Sequence, residues 1–210
     1  MAASARSSLA LGVLVSGNGS NLQAILDAIA EERLNARVEL VISNRAGVTA
    51  LDRASAAGVT ARVIAHREFQ TREAFDAALV AAFEQARAEW IVLAGFMRVL
   101  TPTFLRAFPG RIINIHPALL PAFPGVDAIG QALAYGVKVT GCSVHFVDEG
   151  VDTGSIIAQT PLSVELGDDH DSLAKRMHVA EHRLLVHALS EIARGRISPN
   201  AQRVVPPEPA

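Results

Sequence analysis

The sequence predicts an α/β fold in which a mostly parallel central sheet carries helices on both faces and ends in an antiparallel pair of strands. Two patterns support this prediction. Short apolar runs alternate with segments of helical periodicity through residues 9–117, which is the order that right-handed βαβ units produce. Two further apolar runs, 139–147 and 155–164, then follow one another around a connection rich in acids and glycine, which is typical of an antiparallel pair.

Length and composition favour one domain that binds small molecules. The chain has 210 residues, 50% of them hydrophobic, which suits one sizeable core. A formal net charge of -2 without a long basic run argues against a nucleic-acid partner. No apolar run approaches the roughly 20 residues that cross a bilayer, so we expect a cytoplasmic protein without a membrane partner. We expect a single domain over 9–197 and a flexible tail over 198–210.

Cysteine and histidine usage predicts neither a disulfide nor a metal. A single cysteine, Cys142, excludes an internal disulfide and a cysteine metal cluster. It lies in an apolar stretch, which favours a buried, unreactive thiol over a nucleophile. The seven histidines include no His-Glu-x-x-His spacing, so we expect no zinc site.

The first element is a buried strand over residues 9–15, which leads into the glycine loop, residues 16–21, and a helix from about Leu22. Glycines let a backbone approach a ligand, and a helix start offers free N–H groups and a positive dipole. The glycine loop is therefore a candidate phosphate site. It does not match the dinucleotide or Walker patterns, and a plain turn with Ser20 or Asn21 as the N-cap is the alternative.

The middle of the chain continues the alternation, with strands at 38–43 and 60–65 around a helix at 48–57. Thr71 then has the character of an N-cap for a further helix. Arg72 lies in the first turn of this helix, where a cation opposes the helix dipole unless it has a partner such as a ligand carboxylate. A solvated arginine is the competing interpretation.

Two polar side chains, Asn114 and His116, interrupt the apolar run at 112–117. The period of two in a strand places both on one face, with Ile113 and Ile115 on the other. An amide beside an imidazole suits attack on a carbonyl, because one group can bind the developing oxyanion while the other moves a proton. A polar strand end that only satisfies nearby backbone is the alternative.

Three of these segments should meet at one edge of the sheet. Residues 90–95 form a fourth apolar strand, and the β4 loop, residues 96–100, follows it. In parallel sheets ligands bind beyond the carboxyl ends of the strands. The glycine loop, the β4 loop and the end of the strand with Asn114 and His116 are therefore expected to converge there.

The last third of the sequence adds a short helix at 127–135 and the acidic loop, residues 148–154, which contains Asp152. A long amphipathic helix follows over 169–194. Glu181 borders its apolar stripe next to His178, a placement more typical of a solvated face than of a site.

Several motifs together resemble the glycinamide ribonucleotide transformylase family, also called phosphoribosylglycinamide formyltransferase. The similarity runs from about Leu9 to Arg196 with compatible spacing. The motifs that carry it are 16–22 (SGNGSNL), 94–98 (AGFMR), 114–117 (NIHP), 119–121 (LLP), 143–147 (SVHFV) and 152–154 (DTG).

The resemblance implies a Rossmann-like sheet and formyl transfer from the cosubstrate 10-formyltetrahydrofolate to the amine of glycinamide ribonucleotide, in a monomer or homodimer. By the same resemblance, Asn114, His116 and Asp152 are catalytic. The ribonucleotide would be held by Gly19, Ser20, Asn21, His178 and Glu181. The folate would be held by Arg72, Met97, Arg98, Val99, Leu100, Asn114, Asp148, Glu149, Gly150, Val151 and Asp152.

The sequence departs from the family pattern at Asp127, Ile129 and Gly130, where some relatives carry histidines and an arginine. This departure removes any auxiliary contact that those side chains would make. His178 also stands where a glutamine can occur, so its role is less well supported than the others.

The implied mechanism needs no metal. The amine attacks the formyl carbon, Asn114 and protonated His116 stabilise the oxyanion, and Asp152 keeps His116 cationic and positions a water that carries the proton. The alternatives are a formyltetrahydrofolate hydrolase, a formyltransferase with another acceptor, and a nucleotide-binding sensor; we expect no room for the extra domains of the other formyl-folate enzymes. A hydrolase built on Ser143 and His145 lacks a Gly-x-Ser-x-Gly turn.

Overall fold

Seven strands form the central sheet of the protein, whose computed structural model describes residues 8–199. The strands are β1 (Leu9–Val15), β2 (Ala36–Ser43), β3 (Ala61–Val63), β4 (Trp90–Leu93), β5 (Ile112–His116), β6 (Val139–Phe146) and β7 (Ile156–Ser163). Their order across the sheet is β3-β2-β1-β4-β5-β6-β7. The first five strands are parallel, and β6 and β7 each run antiparallel to their preceding neighbour. The predicted fold class is confirmed.

Six helices are present among the described residues; five connect strands, and the sixth follows β7. They are α1 (Ser20–Ala30), α2 (Thr49–Ala56), α3 (Arg72–Gln85), α4 (Pro102–Ala107), α5 (Ala128–Tyr135) and α6 (His170–Ala193), with a 3-10 turn at His66–Glu68. Along the part of the chain that the structure describes, no helix is long and apolar enough to cross a membrane.

Two apolar cores lie on opposite faces of the sheet. One lies under α1, α2, α5 and α6, and the other lies under α3 and α4. Consecutive crossovers therefore pass first over one face and then over the other, as right-handed connections require when the strand order reverses. The first core includes Val13, Val92, Leu22, Ile25 and Leu185, and the second includes Leu14, Ile91, Phe75, Phe83 and Phe104.

The strand order reverses between β1 and β4, which are neighbours in the sheet but distant in sequence. The chain leaves β1 toward α1 on one face and leaves β4 toward the face of α3 and α4. A crevice opens at such a point beyond the carboxyl ends of the strands. The fold thus places the glycine loop and the β4 loop side by side.

Element boundaries differ from the predictions in a few places. α1 begins at Ser20 rather than near Leu22, and Gly19 takes the N-cap position without a side-chain cap, so the prediction of Ser20 or Asn21 as the N-cap is wrong. α4 was not predicted, because its 6 residues are too few for a periodic pattern, although Pro102 at its start is a typical first helical residue. Thr71 caps α3 as predicted, accepting from the Ala74 N–H at 3.1 Å. Of the predicted tail, residues 200–210 lie outside the described residues.

Candidate active site

A cluster of polar side chains gathers at the carboxyl end of β5. Asn114 and His116 lie on one face of this strand, as predicted, while Ile113 and Ile115 belong to the core under α1 and α6. Asp152 reaches the cluster from the acidic loop. Its carboxylate lies 3.4 Å from His116 Nδ1 and 3.4 Å from Asn114 Nδ2. The structure therefore brings together the three side chains that the sequence analysis named as catalytic.

Both ring nitrogens of His116 face hydrogen-bond acceptors. The ring is buried, with Nε2 2.8 Å from the backbone oxygen of Phe123 and Nδ1 facing the Asp152 carboxylate. A carbonyl and a carboxylate oxygen both accept hydrogen bonds, so each ring nitrogen is best served when it carries a proton. His116 can therefore donate a hydrogen bond from either ring nitrogen.

Asp152 is held as a carboxylate. Burial pushes its pKa upward, but hydrogen bonds from His145 and the Gly125 N–H, together with the charge of His116, outweigh burial and leave the pKa below its ordinary value. The Gly125 bond is 2.8 Å long. A negative charge next to His116 therefore persists through the neutral range.

His145 is a member of the cluster that site prediction missed. Its Nδ1 lies 2.7 Å from the Phe146 backbone oxygen, which leaves Nε2 to face Asn114 at 3.2 Å and Asp152 at 3.5 Å. Neutral His145 can accept from the Asn114 amide, and protonated His145 can donate to Asp152. The signal in the sequence is its place in the 143–147 (SVHFV) motif, on the same strand face as Ser143.

Ser143 has no capacity left for nucleophilic attack. Its fully buried hydroxyl donates to the Ala118 oxygen at 2.6 Å and accepts from the Leu120 N–H and the Gln159 side chain at 3.0 and 2.8 Å. One donor and two acceptor positions are all that a hydroxyl offers. The interpretation as a hydrolase with Ser143 as its nucleophile is therefore wrong, and Ser143 holds residues 118–120, which follow β5.

A cavity of about 400 Å³ opens in front of the cluster. Residues named in advance for the folate form much of its wall, but Arg72 and Glu149 do not line it. The residues from the predicted folate set that line it are Met97, Arg98, Val99, Leu100, Asn114, Asp148, Gly150, Val151 and Asp152.

Arg72 and Asp76 of α3 hold the β4 loop against the helix. The Arg72 guanidinium donates to the Val99 oxygen at 2.7 Å. The partner of this cation in the first turn of α3 is therefore a backbone carbonyl. Buried Asp76 accepts from the N–H and hydroxyl of Thr101 at 2.6 and 2.7 Å. Burial raises the pKa of Asp76 despite these bonds, which lower it.

The acidic loop is shaped by Asp148. One oxygen of this side chain accepts from the Gly150 N–H at 3.1 Å and from the Thr153 hydroxyl at 2.7 Å. The loop then turns at Asp152, whose φ of 55° is in the left-handed region. These contacts aim the Asp152 carboxylate at β5.

The glycine loop presents a helix N-terminus without a side-chain cap. Gly19 has a φ of 75°, and a Cβ there would lie 2.6 Å from the Ala50 side chain, so both conformation and space require glycine. Arg53 of α2 braces the loop by donating to the Asn18 backbone and side-chain oxygens and to Gln23. The first N–H groups of α1 have no side-chain cap, which makes them available for a hydrogen bond to an anion.

Glu181 is buried beside the glycine loop, so the expectation of a solvated acid is wrong. Only 5% of it is exposed, and this burial raises its pKa to about 7 against the opposing effect of the Asn21 side chain. His178 stacks on His182, one turn along α6, with ring centroids 6.4 Å apart. Neither Glu181 nor His178 lines the 400 Å³ cavity.

The segment that departs from the family pattern has a structural role. Asp127 caps α5 by accepting from the Gly130 N–H at 3.1 Å, and a Cβ at Gly130 would lie 2.2 Å from that carboxylate. The same carboxylate lies 3.1 Å from His170 Nε2 at the cavity rim. Ile129 is buried in the core.

Burial determines the reactivity of the Cys142 thiol. Cys142 is buried, and burial raises its pKa to about 12, which confirms the unreactive thiol. Within the described residues 8–199, no three His, Cys, Asp or Glu side chains are grouped to hold a metal ion.

An amide, two imidazoles and a carboxylate on a cavity at the carboxyl edge of this sheet define a doubly wound α/β protein equipped for carbonyl chemistry. The family model for formyl transferase matches residues 10–189. The chain therefore belongs to the formyl transferase family, which confirms the resemblance seen in the sequence.

Individual relatives agree with this family. The chain is 49% identical over 189 residues to the trifunctional purine biosynthetic protein adenosine-3 of Drosophila pseudoobscura pseudoobscura, covering 89% of this chain but only 14% of that protein. It is 42% identical to the phosphoribosylglycinamide formyltransferase of Bacillus subtilis (strain 168), covering 81% and 88% of the two chains. The crystal structure of glycinamide ribonucleotide transformylase 1 from Symbiobacterium toebii matches with a TM-score of 0.90 at 47% identity, over 91% of each chain.

Proposed function

We propose that this protein transfers the formyl group of 10-formyltetrahydrofolate to the amine of glycinamide ribonucleotide, a step of purine biosynthesis. The observation that carries the proposal is the meeting of Asn114, His116 and Asp152 on a cavity wall, in a chain of the formyl transferase family. The bacterial relative named for this activity is matched over 88% of its length, which supports the same assignment.

The ribonucleotide is assigned to the glycine loop and the neighbouring face of α6. Its phosphate would accept from the N–H groups of Gly19, Ser20 and Asn21 at the N-terminus of α1, where the helix dipole favours an anion. Glu181 and His178 would face the rest of the nucleotide. Support comes from the uncapped helix start and from the contact between Asn21 and Glu181.

The folate is assigned to the 400 Å³ cavity. Its β4 loop side carries exposed apolar groups, Met97 and Val99, and its opposite side carries Val151 of the acidic loop. An apolar wall with a few polar groups at one end is typical of a site for an aromatic ligand. The formyl group would then lie at the polar end, against Asn114 and His116.

The chemistry follows from the cluster. The amine attacks the formyl carbon, a C–N bond forms, and the carbonyl oxygen becomes an oxyanion that accepts hydrogen bonds from Asn114 and protonated His116. The Asn114 amide is only loosely engaged by Asp152 at 3.4 Å, so a ligand oxygen can take over that hydrogen. Asp152 stabilises the imidazolium and orients a water that moves the proton from the attacking nitrogen to the departing N10. Collapse then breaks the bond from carbon to N10.

We further propose that the protein acts in the cytoplasm on these small molecules, without a nucleic-acid or membrane partner, as a monomer or homodimer. The steps above require only side-chain and backbone groups, with 10-formyltetrahydrofolate as the cosubstrate and no metal.

The test mixes the purified protein with 10-formyltetrahydrofolate and follows deformylation with and without glycinamide ribonucleotide. Transfer that requires both compounds supports the proposal. Deformylation without the amine would instead indicate a hydrolase, transfer to a different amine would change the acceptor, and binding without turnover would indicate a sensor. Asp171→Asn changes an exposed acid at the start of α6 and is the matched control, which should keep the activity of the natural protein.

A further inference from the structure

The side chain of Ser16 joins the two loops that carry the proposed substrate sites. Ser16 is the first residue after β1 and begins the glycine loop, and it is only 5% exposed. Its hydroxyl accepts from the backbone N–H of Met97 in the β4 loop at 2.9 Å. It donates to Asn44 Oδ1, after β2, at 2.7 Å. One buried hydroxyl thus connects the carboxyl ends of three neighbouring strands.

The Ser16 hydroxyl extends the hydrogen bonding between β1 and β4 beyond the ends of the two strands. Backbone pairing between β1 and β4 reaches the bond from the Ala94 N–H to the Leu14 oxygen at 2.9 Å. Beyond that point the chain turns to α1 on one face and to the β4 loop on the other, because the strand order reverses here. The bond between Ser16 and Met97 spans this divergence.

Each of the two loops is braced on its own far side. Arg53 and the bond from the Ala50 N–H to the Gly17 oxygen, 3.2 Å long, tie the glycine loop to α2. The bonds of Arg72 to Val99 and of Asp76 to Thr101 tie the β4 loop to α3. The hydrogen bond from the Met97 N–H to the Ser16 hydroxyl therefore directly joins two loops that different helices hold in place. Asn44 is buried, and its Nδ2 lies 3.4 Å from His66 Nδ1. Its Oδ1 holds the Ser16 hydroxyl from the side of β2.

From this geometry we propose that Ser16 is a positioning residue that couples the two substrate sites. When the ribonucleotide phosphate binds the glycine loop, Ser16 sets the position of the Met97 N–H and with it the wall of the folate cavity. Each ligand then binds more tightly in the presence of the other, and by linkage the factor is the same in both directions. The inference rests on the proposed function, because it names the occupants of the two sites.

The experiment measures the dissociation constant of tetrahydrofolate, which carries no formyl group to transfer, with and without saturating glycinamide ribonucleotide. We expect the ratio of the two constants to be about fivefold or more in the natural protein, a common size for coupled sites. Ser16→Ala should bring the ratio to about two or less. The ratio is the decisive readout, since a general loosening of the structure weakens both measurements and leaves their quotient unchanged.

Two further variants keep the test sharp. Ser43→Ala removes a buried hydroxyl at the end of β2 that exchanges hydrogen bonds with the Arg45 backbone, so it should keep the natural ratio. Asn44→Ala leaves the contact of Ser16 with Met97 but removes its support, so it should lower the ratio part of the way. This variant also serves if Ser16→Ala does not fold.

The outcomes separate the two proposals. A ratio near one in the natural protein overturns the coupling. An unchanged ratio in Ser16→Ala or Asn44→Ala overturns the role of Ser16, and in both cases formyl transfer stands. Failure of the natural protein to bind these compounds overturns both proposals.

Discussion

The glycine loop and the cluster around His116 differ in the groups that they present, which are backbone N–H groups in the loop and side chains in the cluster. The glycine loop is one continuous stretch whose proposed ligand contacts are backbone N–H groups, and Gly19 is essential because it has no side chain. The cluster is made of side chains that come from β5, β6 and the acidic loop, and its contacts are 3.2–3.5 Å long. One site depends on backbone shape and the other on the distances between distant segments.

This difference decides which substitutions should matter in each region. A backbone site tolerates changes of side chain but not a change of backbone conformation or a blocked approach. A side-chain cluster tolerates small backbone shifts poorly, and loss of a single charged or hydrogen-bonding atom affects the transition state directly. Substitutions in the cluster should therefore lower kcat, and substitutions in the glycine loop should raise the KM of the ribonucleotide.

The largest effect should come from Asp152→Asn. This change keeps the shape of the side chain but removes the negative charge beside His116, so the imidazolium loses its partner and the water its acceptor. We expect kcat to fall roughly 10²–10⁴-fold, the usual range for acid–base groups, with smaller changes in either KM. Steady-state kinetics against Asp171→Asn, an exposed acid at the start of α6, would measure this. An equal loss in kcat and substrate binding would argue for a structural Asp152.

Asn114→Ala should follow. The amide donor to the oxyanion is removed, and kcat should fall roughly 10²–10³-fold while both KM values change little. Thermal unfolding should show a small loss, because the amide also contacts His145 at 3.2 Å. Asn35→Ala, an exposed site before β2, is the control. Retention of more than half of kcat by a folded variant would reduce Asn114 to a structural residue.

Gly19→Ala should have a smaller effect, which appears in the KM of the ribonucleotide rather than in kcat. The new Cβ would press on Ala50 at 2.6 Å and would require a φ of 75° from a residue that avoids it. We expect the KM of the ribonucleotide to rise about tenfold, equivalent to about one charged hydrogen bond, with kcat and folate binding nearly unchanged. Gly47→Ala separates the two causes, since Gly47 has a similar φ of 67° but nothing within 4 Å of the added Cβ. An unchanged KM in Gly19→Ala would remove the phosphate assignment.

Glu181→Gln should have the smallest effect on catalysis, and its effect on stability should depend on pH. Burial raises the pKa of Glu181 from 4.5 to about 7, so the folded state favours the protonated acid. The contribution of this group to stability is complete below about pH 4.5 and is lost as the pH rises through about 7. Glutamine stays neutral, so the variant should be more stable than the natural protein at pH 8, by about 3 kcal/mol, and not at pH 4.5.

Urea unfolding at the two pH values measures this difference. Glu191→Gln should behave in the opposite way, because Arg196 and Arg194 lower the pKa of Glu191, whose stabilising contribution is present at neutral pH and lost in acid. Equal stability of Glu181→Gln and the natural protein at pH 8 would show that Glu181 titrates as an exposed acid.

Local patterns in the sequence determined the fold class, most element positions and the shared face of Asn114 and His116. A strand alternates its side chains with a period of two, and parallel strands end at a common edge, so these conclusions need no long-range information. The same locality explains the misses. α4 is too short for a periodic pattern, and the burial of Glu181 depends on how α6 lies against α1, which lies far from it in sequence.

Tertiary structure alone decided which distant groups meet. Asp152 lies 36 residues from His116 (152 − 116 = 36), and only the antiparallel return through β6 and the acidic loop brings its carboxylate to the imidazole. His145 joins Asn114 through the register of β6 on β5, and Ser16 meets Met97 because the strand order reverses between β1 and β4. Periodicity specifies the face on which a side chain lies, but distances between segments follow from strand pairing and packing, which no local stretch of sequence contains.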